Sequence, residues 1–96
     1  MDLATFRDSL KKDAPPAGLS PALRALWWDG KGDWDAAHHC VDHEEGKDAA
    51  RIHAYLHRKE GDLSNAGYWY RTVGTPMFLG TLDEEWTELA AARLKG

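Results

Sequence analysis

The stretch HAYLHRKEGDLSNAGYWYRTVG, which runs from His53 to Gly74, decides the fold of this chain of 96 residues. Its first half carries apolar residues at helical spacing and stops at Gly61, a residue type that commonly ends helices. Asp62 follows as the N-cap of a second helix, which ends at Gly74 with Pro76 just beyond it. The stretch therefore predicts a helix, a tight Gly-Asp turn and a second helix.

The same helix-turn-helix pattern occurs once more upstream, where Gly32-Asp33 takes the place of Gly61-Asp62. Superposing the two turns aligns residues of similar apolar character: Leu23 with Ile52, Ala25 with Ala54, Trp27 with Leu56, Trp34 with Leu63 and Ala37 with Ala66. Small alanines at the aligned positions allow the two helices of a pair to approach closely. A single pair cannot bury its own apolar face, so we expect the two pairs to cover each other.

Further helices are predicted on both sides of these pairs. Apolar spacing predicts an N-terminal helix over 2–12 and a C-terminal helix over 82–95, around a repeat-like core over 20–76. Thr81 and Glu84 stand three residues apart before the last helix, as a capping box requires. The remaining predicted helices cover 21 to about 28 or 29, 34–41 after an N-cap at Asp33, 49–60 after an N-cap at Asp48, and 63–73. We therefore expect one all-α domain over 1–96, with five or six helices in antiparallel helix-turn-helix pairs.

The inner faces of these helices define a predicted core. Its members are Leu26, Trp27, Trp34, Ala37, Val41, Ile52, Leu56, Leu63, Ala66, Tyr70 and Trp86. Apolar residues make up 43% of the chain and charged residues 29%, a composition that supports a packed core and is typical of globular proteins.

Charge and hydropathy exclude several classes of partner. The formal net charge is -4 and no basic stripe is present, so nucleic acid is not an expected partner. The apolar runs are too short to span a membrane, and the first ten residues lack the pattern of a secretion signal. A cytoplasmic location is therefore expected. Cys40 is the single cysteine, so no internal disulfide can form, which suits a reducing compartment.

The two copies resemble a tetratricopeptide or Sel-type helical repeat over about Leu23 to Pro76. In the second copy the matching residues are the inter-helix glycine Gly61, the small residue Ala66 and the aromatic residue Tyr70. The first copy, ALWWDGKGDWDAAHHCV, matches at Trp28, Gly32 and Ala37 but carries Val41 in the aromatic position. The strings WDAAH, HAYLHRKEGD and AGYWYR also resemble a small bacterial protein family without an assigned activity, and this second resemblance implies no function.

The resemblance to helical repeats suggests the first of two functional hypotheses. A repeat-like module of this kind is expected to bind a peptide or a partner protein in a groove, here lined by Trp28, His57 and Tyr68. The sequence indicates neither the identity of that partner nor the oligomeric state of the protein.

Five histidines are the most informative polar residues of the chain: His38, His39, His43, His53 and His57. The pairs His39/His43 and His53/His57 are four residues apart, which places each pair on one helix face. His39 and His43 lie away from the apolar stripe of their helix, so we expect them in solvent. His38 and His53 fall within apolar stripes and are expected to point inward.

The second hypothesis is a small-ligand or metal-binding protein. In an antiparallel pair, His38, His53 and His57 would converge with Asp42 or Glu60 into a polar pocket. Core histidines that bond to carbonyl or carboxylate oxygens explain the same pattern. The candidate ligand-binding residues of the two hypotheses together are Trp28, His38, His53, His57, Glu60 and Tyr68. No cofactor is expected, no residue is assigned as a catalytic group or a metal ligand, and no phosphate-binding or dinucleotide motif is present, so the sequence does not predict an enzyme.

Overall fold

The computed structural model describes residues 1–95. Within this part of the chain there are six helices and no strand. The helices are α1 (Leu3–Ser9), α2 (Pro21–Gly30), α3 (Trp34–Asp42), α4 (Lys47–Glu60), α5 (Leu63–Val73) and α6 (Leu82–Leu94). The prediction of an all-α fold with five or six helices in helix-turn-helix pairs is confirmed. No helix in residues 1–95 combines the length and the apolar character needed to cross a membrane.

Side chains cap the start of most helices. In five helices the N-cap side chain accepts a hydrogen bond from the backbone N–H group three residues further along the chain. These N-caps are Asp2, Ser20, Asp33, Asp62 and Thr81. The predicted capping box is confirmed, since the Glu84 carboxylate also accepts a bond from the Thr81 N–H at 2.8 Å.

Two predicted helix ends were wrong. The N-cap of α4 is Gly46, not Asp48, because the chain enters the helix two residues earlier than the cap pattern indicates; Asp48 lies in the first turn and pairs with Arg93 instead. The helix predicted over 2–12 ends at Ser9. The Lys31 ammonium donates to the carbonyl oxygens of residues 10 and 12 at 2.7 and 2.8 Å, which stabilises a turn in place of further helix.

The two Gly-Asp turns have the same geometry. Gly32 and Gly61 have φ angles of +85° and +90°, a region that only glycine enters at little steric cost. The following N–H groups, of Asp33 and Asp62, each donate to the carbonyl oxygen five residues earlier at 3.0 Å. Each turn thereby closes one helix and caps the next.

The core lies where α2, α3, α4 and α6 meet, and α1 covers one end of it. All predicted core residues are buried except Trp34, which is half-buried, and Leu63, which is 57% exposed. The prediction for Leu63 was wrong because this residue is the first of α5, where no neighbouring element covers it. The Trp86 indole N–H donates to the Leu26 carbonyl oxygen at 2.9 Å and holds α6 against α2.

Two acidic residues are buried within this core and were not predicted there. The Glu85 carboxylate is 2.7 Å from Arg51 Nη2 and 2.9 Å from Arg58 Nη1, and it accepts a hydrogen bond from the Tyr70 hydroxyl. Burial and this bond raise the pKa of Tyr70 to about 12. Asp29 is likewise held by the Tyr55 hydroxyl at 2.5 Å and the Lys59 ammonium at 2.7 Å. Both carboxylates have the partners that a buried charge requires.

We predict that Leu56→Ala lowers the free energy of unfolding by about 2–5 kcal/mol, since it removes a fully buried side chain and leaves a cavity. Urea denaturation followed by circular dichroism measures this loss. Leu79→Ala is the matched control, because Leu79 is 96% exposed and its truncation should change stability by less than about 0.5 kcal/mol. Equal effects of the two substitutions would contradict the assigned core.

Candidate functional site

Three histidines from two helices form a cluster, which we call the histidine site: His38 from α3, with His53 and His57 from α4. Each contributes one ring nitrogen, and these three atoms lie within 4.8 Å of one another. The ring centroids are 5.0 Å apart for His38 and His53, 5.4 Å for His38 and His57, and 5.8 Å for His53 and His57. The expected convergence of these three side chains is therefore present in the structure.

Trp34 positions α3 relative to α4 at this site. Its indole N–H donates to the Leu56 carbonyl oxygen at 2.8 Å, which joins the start of α3 to the last turns of α4. The Trp34 ring also stacks on the His38 ring at a centroid distance of 5.0 Å. One aromatic residue thus fixes both the helix packing and the orientation of a histidine.

The hydrogen bonding of His53 defines its tautomer. Nε2 lies 3.1 Å from the Val41 carbonyl oxygen, which can only accept, so Nε2 carries the proton and Nδ1 carries the lone pair of the neutral ring. Nδ1 is buried and has no hydrogen-bond partner within residues 1–95. The Trp69 ring, from α5, stacks on His53 at a centroid distance of 4.4 Å and closes that side of the histidine site.

Glu60 orients His57. The His57 Nδ1 atom is 2.6 Å from the Glu60 Oε2 atom, so Nδ1–H donates to the carboxylate and Nε2 carries the lone pair of the neutral ring. Histidines that bind metals commonly use one nitrogen for an oxygen acceptor and leave the other for the ion. His53 and His57 both have this arrangement, with the Val41 carbonyl and Glu60 as the respective oxygen acceptors, and Glu60 is one of the two carboxylates expected near the histidines.

Other predicted residues lie outside the histidine site. Trp28 packs edge-on against Trp27 at 5.0 Å, next to the main core. Tyr68 is 55% exposed and contacts the edge of Trp69. None of these contacts within residues 1–95 joins Trp28, His57 and Tyr68 into one groove, so the peptide groove stays a prediction. Asp42, the alternative to Glu60, is exposed and lies 4.0 Å from His43 on the outer surface.

Two residues that contact the histidine site were not predicted from the sequence. Trp34 was assigned only to the core, and Trp69 was not singled out from the run Tyr68-Trp69-Tyr70. Adjacent residues on a helix differ by about 100° in direction, so the choice within that run depends on how α5 crosses α4. His39 and His43 are exposed, as predicted.

We predict that the metal-free protein loses stability as the pH falls below about 6.5, the ordinary pKa of histidine. Burial lowers the pKa of His53 in the fold, as do the neighbouring His38 and His57, against the opposing Val41 carbonyl and Asp42. The unfolded chain therefore binds the proton first, and the stability present above pH 6.5 is lost as the pH falls towards the lower folded pKa.

Histidine ring resonances in an NMR titration measure the His53 pKa, and urea midpoints at pH 7.5 and 5.5 measure its effect on stability. His53→Gln should reduce the difference between these two midpoints. A His53 titration midpoint at or above about 6.5 would contradict the burial argument.

Comparisons of this chain with protein-family models, with curated proteins and with solved structures found no match.

Proposed function

We propose that this protein binds a divalent transition-metal ion, with Zn²⁺ as the best fit, through the imidazoles of His38, His53 and His57. Two observations carry the proposal: one ring nitrogen from each histidine lies within 4.8 Å of the other two, and the buried Nδ1 atom of His53 has no hydrogen-bond partner within residues 1–95. An unsatisfied buried acceptor costs about 1–3 kcal/mol. A cation bound between the three rings would remove that cost.

The donor set matches zinc chemistry. Neutral imidazole nitrogen is a preferred ligand of Zn²⁺, Cu²⁺ and Ni²⁺, whereas Mg²⁺ and Ca²⁺ require oxygen. Zn–N bonds of about 2.0–2.1 Å in a tetrahedron place nitrogen atoms roughly 3.4 Å apart. Nitrogen atoms that now lie within 4.8 Å must therefore approach each other, and half-buried His38 is the ring with the most freedom to move inward.

Three histidine ligands leave one tetrahedral position open. Structural zinc sites are closed by four protein ligands, whereas sites with three keep a position for water or for an exogenous ligand. A zinc ion held by His38, His53 and His57 would belong to the second kind. We therefore propose that the protein binds the ion and leaves it accessible to water or an exogenous ligand, and we assign no reaction to it.

Protein interaction is the second candidate, favoured by exposed apolar residues on α5. Leu63 is 57% exposed and Tyr68 is 55% exposed. Single exposed apolar side chains are common on soluble proteins, and these two do not lie on the same face of the helix. We therefore rank metal binding first.

The test is a Zn²⁺ titration of chelator-treated protein by calorimetry, with Co²⁺ absorption as a second readout. We expect one ion per chain and a cobalt spectrum of a tetrahedral nitrogen site. His38→Asn should weaken Zn²⁺ binding by at least about 100-fold, since it removes one of three ligands. His39→Asn with His43→Asn is the matched control, because this exposed pair has the same spacing as His53 and His57 but lies outside the site.

Glu60→Gln tests the orienting carboxylate. It should weaken Zn²⁺ binding by about 10–100-fold, the usual effect of removing an oxygen acceptor from a histidine ligand. Circular dichroism and urea unfolding check that each variant folds. The proposal fails if the wild-type chain binds no Zn²⁺ in the micromolar range, or if the control pair weakens binding as much as His38→Asn.

A further inference from the structure

A second candidate site lies away from the histidines, between α4, α6 and the segment that joins α5 to α6. It is a cleft of about 310 Å³ whose lining includes two arginines, Arg51 from α4 and Arg93 from α6. Phe78 and Leu89 supply an apolar wall on the same cleft. The cleft therefore combines two guanidinium groups with an apolar surface.

Arg51 has one hydrogen-bond donor without a partner. Its Nη2 atom is 2.7 Å from the Glu85 carboxylate, and its guanidinium lies over the Tyr70 ring at 4.8 Å. Its Nη1 atom is buried and makes no hydrogen bond within residues 1–95. A buried charged donor without a protein partner is expected to donate to a bound ion or a water molecule.

Arg93 has the same property. Its Nη2 atom pairs with Asp48 at 3.1 Å, and its Nη1 atom donates to the Leu89 carbonyl oxygen at 3.1 Å. Its Nε atom is buried without a partner in the described chain. Burial, together with the positive charge of Arg51, lowers the pKa of Arg93. Both guanidiniums line the same cleft, where their like charges repel each other.

The carboxylates around the cleft compensate these charges only in part. Glu85 is shared between Arg51 and Arg58, and Asp48, the partner of Arg93, is largely exposed to solvent. Glu88 also lines the cleft, but it is exposed and has no ion pair among residues 1–95. An anion bound between Arg51 and Arg93 would accept hydrogen bonds from the two buried donors that lack a partner within residues 1–95. It would also reduce the repulsion between the two guanidinium groups.

We infer that this cleft binds a small organic oxyanion, a carboxylate or phosphate that carries a short apolar group. Arg51 Nη1 and Arg93 Nε donate to the oxyanion, and Phe78 and Leu89 contact its apolar part. Both nitrogen atoms are buried, so each guanidinium must rotate towards the cleft for the anion to reach them. Arginine suits this role because its donors form a planar fork that matches two oxygen atoms.

The experiment is an NMR titration of ¹⁵N-labelled protein with phenyl phosphate and, separately, with inorganic phosphate, in the presence of a metal chelator. We expect a saturable shift of the Arg93 Nε–H resonance with both probes and tighter binding of phenyl phosphate, since only this probe contacts the apolar wall. Binding in the presence of chelator separates this site from the proposed metal site.

Substitutions inside and outside the cleft test which residues bind phenyl phosphate. Arg93→Gln should weaken phenyl phosphate binding at least tenfold, and Arg93→Lys should weaken it less, because lysine keeps the charge but loses the fork. Glu88→Gln should tighten binding, since it removes a like charge from the cleft. Arg71→Gln is the matched control, because Arg71 is exposed on α5 and lies outside the cleft.

Two outcomes would overturn the inference. One is an Arg93 Nε–H resonance that does not shift in the wild-type protein, a result that does not depend on whether any variant folds. The other is an equal loss of affinity in Arg71→Gln and Arg93→Gln, which would show that the probe binds to surface charge.

Discussion

The turn at Gly61-Asp62 is the constraint on which the histidine site depends. Only a residue without a side chain enters the positive φ of Gly61 at little cost, so α4 ends at Glu60. That helix end places Glu60 one turn beyond His57, within hydrogen-bond distance of its ring. The chain then reverses into α5, whose Trp69 stacks on His53. A local backbone requirement thus arranges side chains from both helices that the turn joins.

Helix α4 organises both candidate sites because different faces of it are buried against different neighbours. His53 and His57 lie on the face that packs against α3. Arg51 and Arg58, seven residues apart, lie on another face and share the Glu85 carboxylate of α6. A buried carboxylate between two guanidiniums adds specificity to the packing of α6, since loss of one partner leaves an uncompensated charge. The position of α4 therefore follows from polar contacts as well as from its apolar residues.

The sequence predicts much of this fold because its glycines, caps and apolar periods agree with one another. The inward direction of His53 follows from its place between Ile52 and Leu56, and its burial is confirmed. The burial of Asp29 and Glu85 could not be predicted in this way. Acidic residues are usually exposed, and these two are buried only because basic partners reach them from elements far along the chain. Stacking of Trp69 on His53 likewise depends on a helix crossing that no local pattern encodes.

The bond between the Trp86 indole and the Leu26 carbonyl has a consequence for the order of folding. It joins residues 60 positions apart, whereas the α2–α3 and α4–α5 pairs are each closed by a short turn. Contacts between residues near in sequence need little loop closure and form early, while distant contacts form later. We therefore expect the two hairpins to form before α6 docks onto them. That docking buries Glu85 between Arg51 and Arg58, which both lie on α4.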